Sequence, residues 1–409
     1  MIKIERREDC SGCTACASIC PVDAITMRPD SEGFQYPKVN EKKCIECHLC
    51  ERVCPIANRK MEQTKQQDAY LFQLKNKTLR MESTSGGAFT AIAAQFIREG
   101  GVVYGAAYDE DLQVIHMRVD SIEDLRKFRN SKYVQSNLGN VFREIRDLLK
   151  GNQKVCFSGT PCQVEGIKSF LGKLCITDNL LLVDFVCRAV PSPLFWWKYV
   201  HWQEKKLSVK IGNVRFRDKR HYGYKYSQMV ITDENGGERY HQGVESDPYL
   251  RAFFSNLSDR PSCYSCAFKK RYRESDITLW DCFDVGLKAK TLDDDLGTTN
   301  ILVQSERGAE WIAKLTDDII MIPIDADICV AGMRELVCSV PYTEKRAAFM
   351  KDVADKDMQE IIDIWLPNNF KIKLKKFLRR ALIRLDIYDS MKKKLMKMRI
   401  NNSFDNKHS

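Results

Sequence analysis

The chain opens with two copies of one cysteine pattern, Cys10-x2-Cys13-x2-Cys16-x3-Cys20-Pro21 and Cys44-x2-Cys47-x2-Cys50-x3-Cys54-Pro55. In such a run three thiolates reach three corners of one cubane, and the fourth, which precedes proline, ligates the other cluster. The spacing therefore predicts two [4Fe–4S] clusters, one on Cys10, Cys13, Cys16 and Cys54, the other on Cys44, Cys47, Cys50 and Cys20. Zinc also accepts C-x2-C units, but as two separated pairs rather than two quartets that each end in Cys-Pro. Neither run continues with the C-x3-C-x2-C spacing of a radical-SAM enzyme.

Length and composition indicate a soluble protein of two or three domains. The chain has 409 residues, of which 44% are hydrophobic and 29% charged. Seventeen cysteines and no apolar signal near Met1 favour metal binding or redox work over disulfides, so we expect a cytoplasmic location. The longest mainly apolar stretch, residues 88–97, is too short to span a bilayer.

The net charge of +10 lies in the C-terminal tail. Residues 366–409 hold 13 Lys/Arg and 3 Asp/Glu, so the rest of the chain is neutral and we expect no nucleic-acid partner. Apolar residues recur there at helical spacing, at Phe370, Leu374, Phe377, Leu378, Leu382 and Leu385, and a second basic cluster follows at Lys392, Lys393 and Lys394. Two interpretations stay open: peripheral association with the anionic inner face of the membrane, or a solvated helix packed on its own domain.

Beyond the cysteine runs, strand-like and helix-like segments alternate, which predicts a mixed α/β domain. We divide the chain into a ferredoxin domain (residues 1–60), a polar linker (61–80), the α/β domain (81–345) and C-terminal helices with the basic tail (346–409). The fold class is therefore α+β and α/β combined.

Two turns and four further cysteines are candidate site residues. Ser85-Gly86-Gly87 and Ser158-Gly159-Thr160 each precede a predicted helix, where backbone amides can cradle a pyrophosphate, although Ser and Gly are also ordinary caps. Cys263 and Cys266 form a C-x2-C pair, and Cys162 and Cys187 follow predicted strands, so the four can hold a further cluster. The alternative for Cys162 and Cys187 is a small buried apolar residue. We assign that role to the five other cysteines, Cys156, Cys175, Cys282, Cys329 and Cys338.

Six motifs occur in order between about residues 70 and 340. They are Ser85-Gly86-Gly87-Ala88-Phe89-Thr90, Ser131-Lys132-Tyr133-Val134-Gln135-Ser136, Phe157-Ser158-Gly159-Thr160-Pro161-Cys162-Gln163, Pro191-Ser192-Pro193, Phe216-Arg217-Asp218-Lys219 and Arg260-Pro261-Ser262-Cys263-Tyr264-Ser265-Cys266. With them the chain resembles the family of coenzyme F420 hydrogenase/dehydrogenase beta subunits. It is similar to bacterial members that carry an N-terminal two-cluster ferredoxin domain, many of which are encoded among exopolysaccharide biosynthesis genes.

The resemblance implies a noncovalent FAD and a third [4Fe–4S] cluster beside it. By position, the cluster ligands are Cys162, Cys187, Cys263 and Cys266, and the residues expected around the flavin are Ser85, Gly86, Gly87, Thr90, Lys132, Gly159 and Thr160. Lys132 would place positive charge near the isoalloxazine. The chain also departs from the family: Cys187-Arg188-Ala189 replaces the usual Cys-His-Gly, and Trp280-Asp281-Cys282-Phe283-Asp284 replaces a Gly-Asp-Phe-Trp-Gly-like segment. Both departures indicate a diverged substrate site.

The sequence therefore predicts a flavin- and iron–sulfur-dependent oxidoreductase that passes electrons between FAD and [4Fe–4S] clusters. Its partner is expected to be a redox protein or a small-molecule substrate in polysaccharide-related metabolism. The rival interpretation is a non-catalytic, ferredoxin-type electron carrier with a docking domain. No pattern in the chain identifies a catalytic residue.

Overall fold

The computed structural model describes residues 1–315, 318–385 and 387–388. Its strands are β1 Ile25–Pro29, β2 Gln35–Val39, β3 Ala69–Leu74, β4 Val102–Tyr108, β5 Val114–Val119, β6 Val155–Gly159, β7 Leu180–Phe185, β8 Ile211–Asp218, β9 Gln228–Asp233, β10 Glu238–Gln242, β11 Ile277–Asp281, β12 Thr299–Val303 and β13 Ile319–Ile324. Its helices are α1 Ala15–Ile19, α2 Leu49–Arg52, α3 Lys77–Glu82, α4 Ala88–Arg98, α5 Val141–Lys150, α6 Pro161–Leu171, α7 Pro193–Leu207, α8 Pro248–Phe254, α9 Val285–Lys288, α10 Glu306–Ala313, α11 Ala326–Val330, α12 Arg334–Val337, α13 Lys345–Asp355, α14 Met358–Trp365 and α15 Phe370–Arg384. None of the described helices is both long and apolar enough to cross a membrane.

An eight-stranded mixed sheet, in the order β13-β3-β12-β11-β7-β6-β4-β5, forms the centre of the fold. Strands β4, β6, β7 and β11 run parallel to one another, and the outer strands pair antiparallel. In β6, Val155 and Phe157 pack toward α5 and α6, while Cys156 packs toward α4 and α10 on the other face. Burial on both faces explains why this strand is apolar throughout. The expected mixed α/β architecture is confirmed.

The structure differs from the expected linker over residues 61–80, because the second half of this segment is not a linker. Residues 69–74 form β3, which pairs with both β12 and β13 inside the large sheet. Polar residues on both sides of Ala-Tyr-Leu-Phe-Gln-Leu hide the strand in the sequence, but all six residues are at least partly buried. A short apolar run of this kind is compatible with a buried strand, which only the neighbouring strands identify.

A second core lies between the three-stranded sheet β10-β9-β8 and helices α7, α8, α13 and α14. Aromatic side chains fill it, among them Phe195, Trp196, Tyr199, Tyr249 and Phe349. Helices α13 and α14 therefore pack within the main body of the protein rather than forming a separate tail. Of the tail, the structure describes α15; the basic cluster Lys392, Lys393 and Lys394 lies outside the described residues.

The N-terminal module consists of α1, α2 and the hairpin β1–β2, and arginine side chains attach it to the central domain. Arg143 donates to the carbonyls of Ala17, Ser18 and Cys20 at the end of α1. Arg346, on α13, forms a two-fold ion pair with Glu32 at 3.1 and 2.5 Å, and both side chains are less than 10% exposed. These contacts fix the module to one place on the α/β domain, since buried ion pairs and charge-assisted hydrogen bonds are costly to break.

The buried Arg346–Glu32 pair yields a stability prediction. Arg346→Met removes the buried cation that pairs with the Glu32 carboxylate. Because the carboxylate stays buried, we expect the free energy of unfolding to fall by about 3–5 kcal/mol. Guanidinium unfolding of the anaerobic protein, followed by the visible absorption of the clusters, measures this change. Lys345→Met, which removes an exposed charge from the same helix, is the control. Equal midpoints for the two variants would show that the pair does not hold the module in place.

Candidate functional site

Cys162 and Cys187 follow two neighbouring parallel strands. Strands β6 and β7 pair in register up to Gly159 and Asp184, so both chains leave the sheet at the same edge. Cys162 then lies in the first turn of α6, where the Thr160 hydroxyl is 3.1 Å from its Sγ, and Cys187 lies two residues beyond β7. This arrangement matches the sequence expectation, because active-site groups of α/β sheets collect at the carboxyl ends of parallel strands.

The C-x2-C pair folds back over the same edge. Cys263 lies on the 3-10 turn Pro261–Ser265, and Cys266 directly follows it. The amide of Arg260 ties this turn to the segment after β7 by donating to the Val190 carbonyl at 2.9 Å. The Lys269 ammonium donates to the Cys187 carbonyl and so closes the turn from its other end.

The four thiols lie close enough to act on one another electrostatically. Burial raises the pKa of the Cys162 thiol, and the thiols of Cys266 and Cys187 raise it further. Burial also raises the pKa of Cys187 to about 11 and that of Cys263 well above its usual value, with Cys266 contributing to both. Buried thiols of this kind ionise when a metal centre supplies positive charge, so the chemistry of the donor set suits a cluster.

A cavity of about 2170 Å³ opens beside Cys162 and Cys187. Its wall includes six of the seven residues that the resemblance places around a flavin: Ser85, Gly87, Thr90, Lys132, Gly159 and Thr160. Gly86 is the exception, because its amide donates to the Thr299 hydroxyl and its carbonyl accepts from Leu74. A Cβ at Gly86 would lie 2.2 Å from the Phe72 carbonyl oxygen, so this glycine lets the turn approach the sheet closely.

Several buried polar atoms on the cavity wall have no partner among the described residues. They are Nδ1 of His116, Nε of Arg129, Oδ1 of Asp184, Nε of Arg188, Nη2 of Arg217 and Nε1 of Trp280. Burying such atoms unpaired is costly, so the wall is suited to a ligand that supplies complementary atoms. Four of the six atoms are donors, which favours a ligand rich in acceptors, as the isoalloxazine and pyrophosphate of a flavin dinucleotide are.

Lys132 also lies on the cavity wall, where two backbone carbonyl groups accept hydrogen bonds from its side chain. Its Nζ donates to the carbonyls of Arg129 and Asn130, both at 3.3 Å. Loss of hydration, with a smaller effect of the nearby Arg215 charge, lowers the pKa of Lys132 to about 7. Its positive charge is therefore present below neutral pH and is lost as the pH rises through 7.

The structure also identifies site residues that sequence reasoning did not assign. The Tyr224 hydroxyl contacts the Ser85 hydroxyl at 3.3 Å and donates to Asp281 at 2.9 Å, and Asp281 in turn pairs with Arg217 at 3.0 Å. Lys219, buried beneath this network, donates to the Ser85 carbonyl at 3.0 Å. The motif containing Arg217 and Lys219 was visible in the sequence, but its link to the Ser85 turn depends on contacts across more than 130 residues.

Arg188 occupies the place of the family's usual histidine. Its guanidinium lies over the Phe253 and Phe254 rings and donates to the Asn256 side chain at 2.6 Å. Because it follows Cys187 and lines the cavity, it places a permanent positive charge where a histidine would titrate.

The structure brings four thiols of the N-terminal module close to one another. Cys10, Cys13, Cys16 and Cys54 act on one another electrostatically, while the Cys50 sulfur accepts from the Ile2 amide at 3.2 Å and the Cys20 sulfur accepts from the Ala24 amide at 3.2 Å. Cys16, Cys20, Cys50 and Cys54 share one small apolar cluster between the two quartets. Cys47 is exposed.

The first quartet lies directly against α6. A Cβ on Gly166, one turn after Cys162, would lie 2.8 Å from the Cβ and 3.0 Å from the sulfur of Cys13. The Cys13 thiol also acts on Cys162 electrostatically. Helix α6 therefore brings the quartet of Cys10, Cys13, Cys16 and Cys54 next to the thiol group at the cavity.

The comparisons with known proteins match two parts of the chain to known families. Residues 152–326 match the family described as the C terminus of the coenzyme F420 hydrogenase/dehydrogenase beta subunit, and residues 9–58 match the 4Fe-4S dicluster domain. This confirms the resemblance to the family of these beta subunits. The chain carries a domain for two [4Fe–4S] clusters and is related to redox enzyme subunits.

Two individual relatives and one solved structure are similar to parts of this chain. The F subunit of the F(420)H(2) dehydrogenase of Methanosarcina mazei is 22% identical over 175 residues, 41% of this chain and 49% of the relative. Coenzyme F420-dependent sulfite reductase of Methanocaldococcus jannaschii is 28% identical over 162 residues, 39% of this chain and 24% of the relative. The chain thus covers less than half the length of either relative. A chain in the structure of the F420-reducing [NiFe] hydrogenase complex of Methanosarcina barkeri has a TM-score of 0.44 and 17% identity, covering 72% of this chain and 90% of that one.

Of the five cysteines assigned to apolar packing, four are buried: Cys156, Cys175, Cys282 and Cys329. Cys338 is exposed, which corrects that assignment, because α12 ends just before it at the protein surface.

The thiol group at the cavity predicts an iron count. We expect Cys263→Ser/Cys266→Ser to lose about four iron atoms per chain, since one cubane needs all four thiolates. Iron analysis of anaerobically purified protein measures the loss. Cys156→Ala is the matched control, because Cys156 is buried within β6 and faces α4 and α10, and it should keep the full iron content. An unchanged iron content in the double variant would remove the third cluster.

Proposed function

We propose that this chain is a flavin- and iron–sulfur-dependent oxidoreductase with FAD in the cavity and a third [4Fe–4S] cluster on Cys162, Cys187, Cys263 and Cys266. When bound, the flavin accepts or delivers two electrons at once and exchanges them singly with the clusters. The residues of this chain bind the flavin, exclude water and order the clusters.

The observation that supports the proposal most directly is the position of Cys162, which lies between the cavity and the N-terminal module. Its residue lies on the cavity wall, and its thiol interacts with Cys187 and Cys266 on one side and with Cys13 of the N-terminal module on the other. Electrons from the cavity would pass in order through the third cluster, the cluster of Cys10, Cys13, Cys16 and Cys54, and the cluster of Cys20, Cys44, Cys47 and Cys50. The exposed Cys47 places the last cluster where a redox partner protein can approach.

Arg260 lies at the junction between the first two of these clusters. It is 1% exposed, donates to the carbonyls of Cys10 and Gln35 at 2.9 and 3.0 Å, and stacks on the Tyr36 ring at 4.3 Å. No carboxylate of the described residues pairs with it. A buried cation beside a cluster favours the more negatively charged reduced state, so Arg260 should raise the reduction potential of the cluster that Cys10 ligates.

The cavity has room for a second ligand. Its volume of about 2170 Å³ exceeds the roughly 300–1,000 Å³ of ordinary ligand pockets. A small two-electron donor or acceptor beside the flavin fits this space, and coenzyme F420 is one candidate because two curated relatives carry it in their names. A role in polysaccharide-related metabolism rests on the resemblance alone and predicts activity that depends on a partner enzyme.

Trp280 tests the flavin part of the proposal. Trp280→Phe keeps most of the packing but removes an indole N–H that has no partner on the cavity wall, and we expect FAD affinity to fall roughly threefold to tenfold, or about 0.5–1.5 kcal/mol. Titration of deflavinated protein with FAD measures the change. Trp202→Phe removes an indole N–H that donates to Gln359 outside the cavity and should leave the affinity unchanged.

Measurements on the wild-type protein and one variant distinguish a flavoprotein oxidoreductase from a non-catalytic electron carrier. Wild-type protein should release about one FAD per chain, and photoreduction of that flavin should reduce the N-terminal clusters, as seen by EPR. The variant Cys263→Ser/Cys266→Ser should keep the flavin but lose this transfer. Clusters without flavin in the wild-type protein would instead support the non-catalytic electron carrier.

We further propose that α15 associates with an anionic membrane surface. One face of the helix packs on the protein, where Arg379 pairs with Glu245 at 2.8 Å and Lys376 donates to Gln242 at 2.5 Å. On the other face, Phe370 is 76% exposed and Phe377 is 68% exposed, and further lysines lie beside them in the helix. Such a face suits an interface with anionic lipid, to which each basic residue near the surface contributes about 1 kcal/mol.

Sedimentation with vesicles tests this surface. We expect the protein to bind anionic vesicles more strongly than neutral ones, and Phe370→Ser/Phe377→Ser to weaken that binding because the apolar contact is lost. Ile176→Ser, which changes an 83% exposed apolar residue away from α15, is the control. Equal binding to both kinds of vesicle, or to neither, would leave α15 as a solvated helix packed on its own domain.

A further inference from the structure

Two histidines and a glutamate converge on the three-stranded sheet, outside the cavity. His221 Nε2 and His241 Nδ1 both reach Oε1 of Glu238, at 2.7 and 2.8 Å. One ligand atom from each residue lies within 4.8 Å of the other two, and the imidazole rings stack with centroids 4.1 Å apart. Three side chains from two separate segments thus point their ligand atoms at one spot.

A β-bulge in β10 makes this convergence possible. In a regular strand, residues 238 and 241 would face opposite sides of the sheet, since side chains alternate. The pairing with β9 shifts between Glu238 and Tyr240, so one extra residue is inserted and the two side chains share a face. The intervening Arg239 turns toward Asp233, with which it pairs at 2.6 Å. Bulges commonly re-aim side chains in this way next to functional sites.

The surrounding charges leave Glu238 available to a cation. Arg220 is the nearest cation, with Nη2 3.7 Å from Glu238 Oε2. Its Nε, however, donates to both carboxylate oxygens of the buried Asp218 at 2.9 and 3.1 Å, so the guanidinium is held mainly by Asp218, which it shares with Arg215, rather than by Glu238. The three candidate ligands are themselves partly exposed, which leaves space for water ligands on the solvent side.

We propose that His221, Glu238 and His241 bind a divalent first-row transition-metal ion of the Zn²⁺ type. Two imidazoles and one carboxylate suit such ions rather than Mg²⁺ or Ca²⁺, which prefer all-oxygen sites. With metal–ligand distances of about 2.0–2.2 Å, neighbouring ligand atoms lie roughly 3.3 Å apart, so each histidine nitrogen needs to move only about half an ångström away from the Glu238 oxygen. No thiol takes part, which sets the site apart from the cluster ligands.

Metal binding here would act on the wall of the cavity. His221 lies in the turn between β8 and β9, and the same turn supplies Tyr224 and Tyr226 to that wall. An ion held by His221, Glu238 and His241 ties this turn to β10. The expected consequence is slower amide hydrogen exchange in residues 219–226 when the ion is bound.

Isothermal titration of anaerobic, cluster-loaded protein with Zn²⁺ tests the site. We expect the wild-type protein to bind one more Zn²⁺ ion than His221→Ala/His241→Ala, and residues 219–226 to gain protection only in the wild type. His201→Ala removes an exposed histidine on α7, away from the site, and should behave as the wild type does. Because all these proteins have the same cysteines, adventitious binding to thiols cancels in the comparison.

Glu238→Gln is a second and milder variant, which tests the site even when the double variant misfolds. The amide can still accept hydrogen bonds from the histidines but carries no charge, so Zn²⁺ affinity should fall at least tenfold while the cluster absorption stays unchanged. Equal Zn²⁺ stoichiometry and affinity in the wild type, His221→Ala/His241→Ala and Glu238→Gln would overturn the proposal. An absence of Zn²⁺ binding in the wild type would overturn it as well.

Discussion

The parallel pairing of β6 with β7 is the constraint on which the site depends. Parallel strands in register end at the same edge of a sheet, so Cys162 and Cys187 emerge side by side although 24 residues separate them in the chain. The turn that carries Cys263 and Cys266 then needs only to lie against that edge, where the Arg260–Val190 hydrogen bond holds it. An antiparallel pairing of the same two strands would send the two thiols to opposite ends of the sheet.

A second constraint is the close approach of the N-terminal module. Electron transfer between clusters needs a fixed, short separation. The module shares an apolar core with α5 and α6 through Cys13, Ala15 and Val53, and charged side chains add further contacts. Arg143, Arg260 and Arg346 reach into it from three segments of the central domain, and the absence of a Cβ at Gly166 lets Cys13 lie against α6. Carbonyl groups at the ends of short loops are natural acceptors for arginine, which explains why this chemistry recurs at the junction.

The cavity combines rigid walls with unpaired donors. Ser85, Tyr224, Asp281 and Arg217 form one continuous network, so a change at any of them affects the turn at Ser85 as well as the wall near Trp280. Loss of hydration lowers the pKa of the buried Lys219 to about 7, as it does for Lys132, yet carbonyl oxygens accept from Lys219 on several sides. These hydrogen bonds, which lie behind the cavity wall, stabilise the conformation of the wall in the absence of a ligand.

The sequence by itself determined the local chemistry. Cysteine spacing assigned the two ferredoxin quartets, because ligands three residues apart on one turn need no tertiary information, and apolar runs predicted β6 and β7. The sequence did not reveal β3 within a polar stretch, the role of Gly86 against the sheet, or the network from Tyr224 to Arg217. Each of these depends on at least one partner more than 50 residues away in the chain, and a local sequence pattern does not identify which distant segments come into contact. Tertiary structure alone decided that the thiols, the cavity and the N-terminal module adjoin, since strand order and side-chain burial are set by packing across the whole fold.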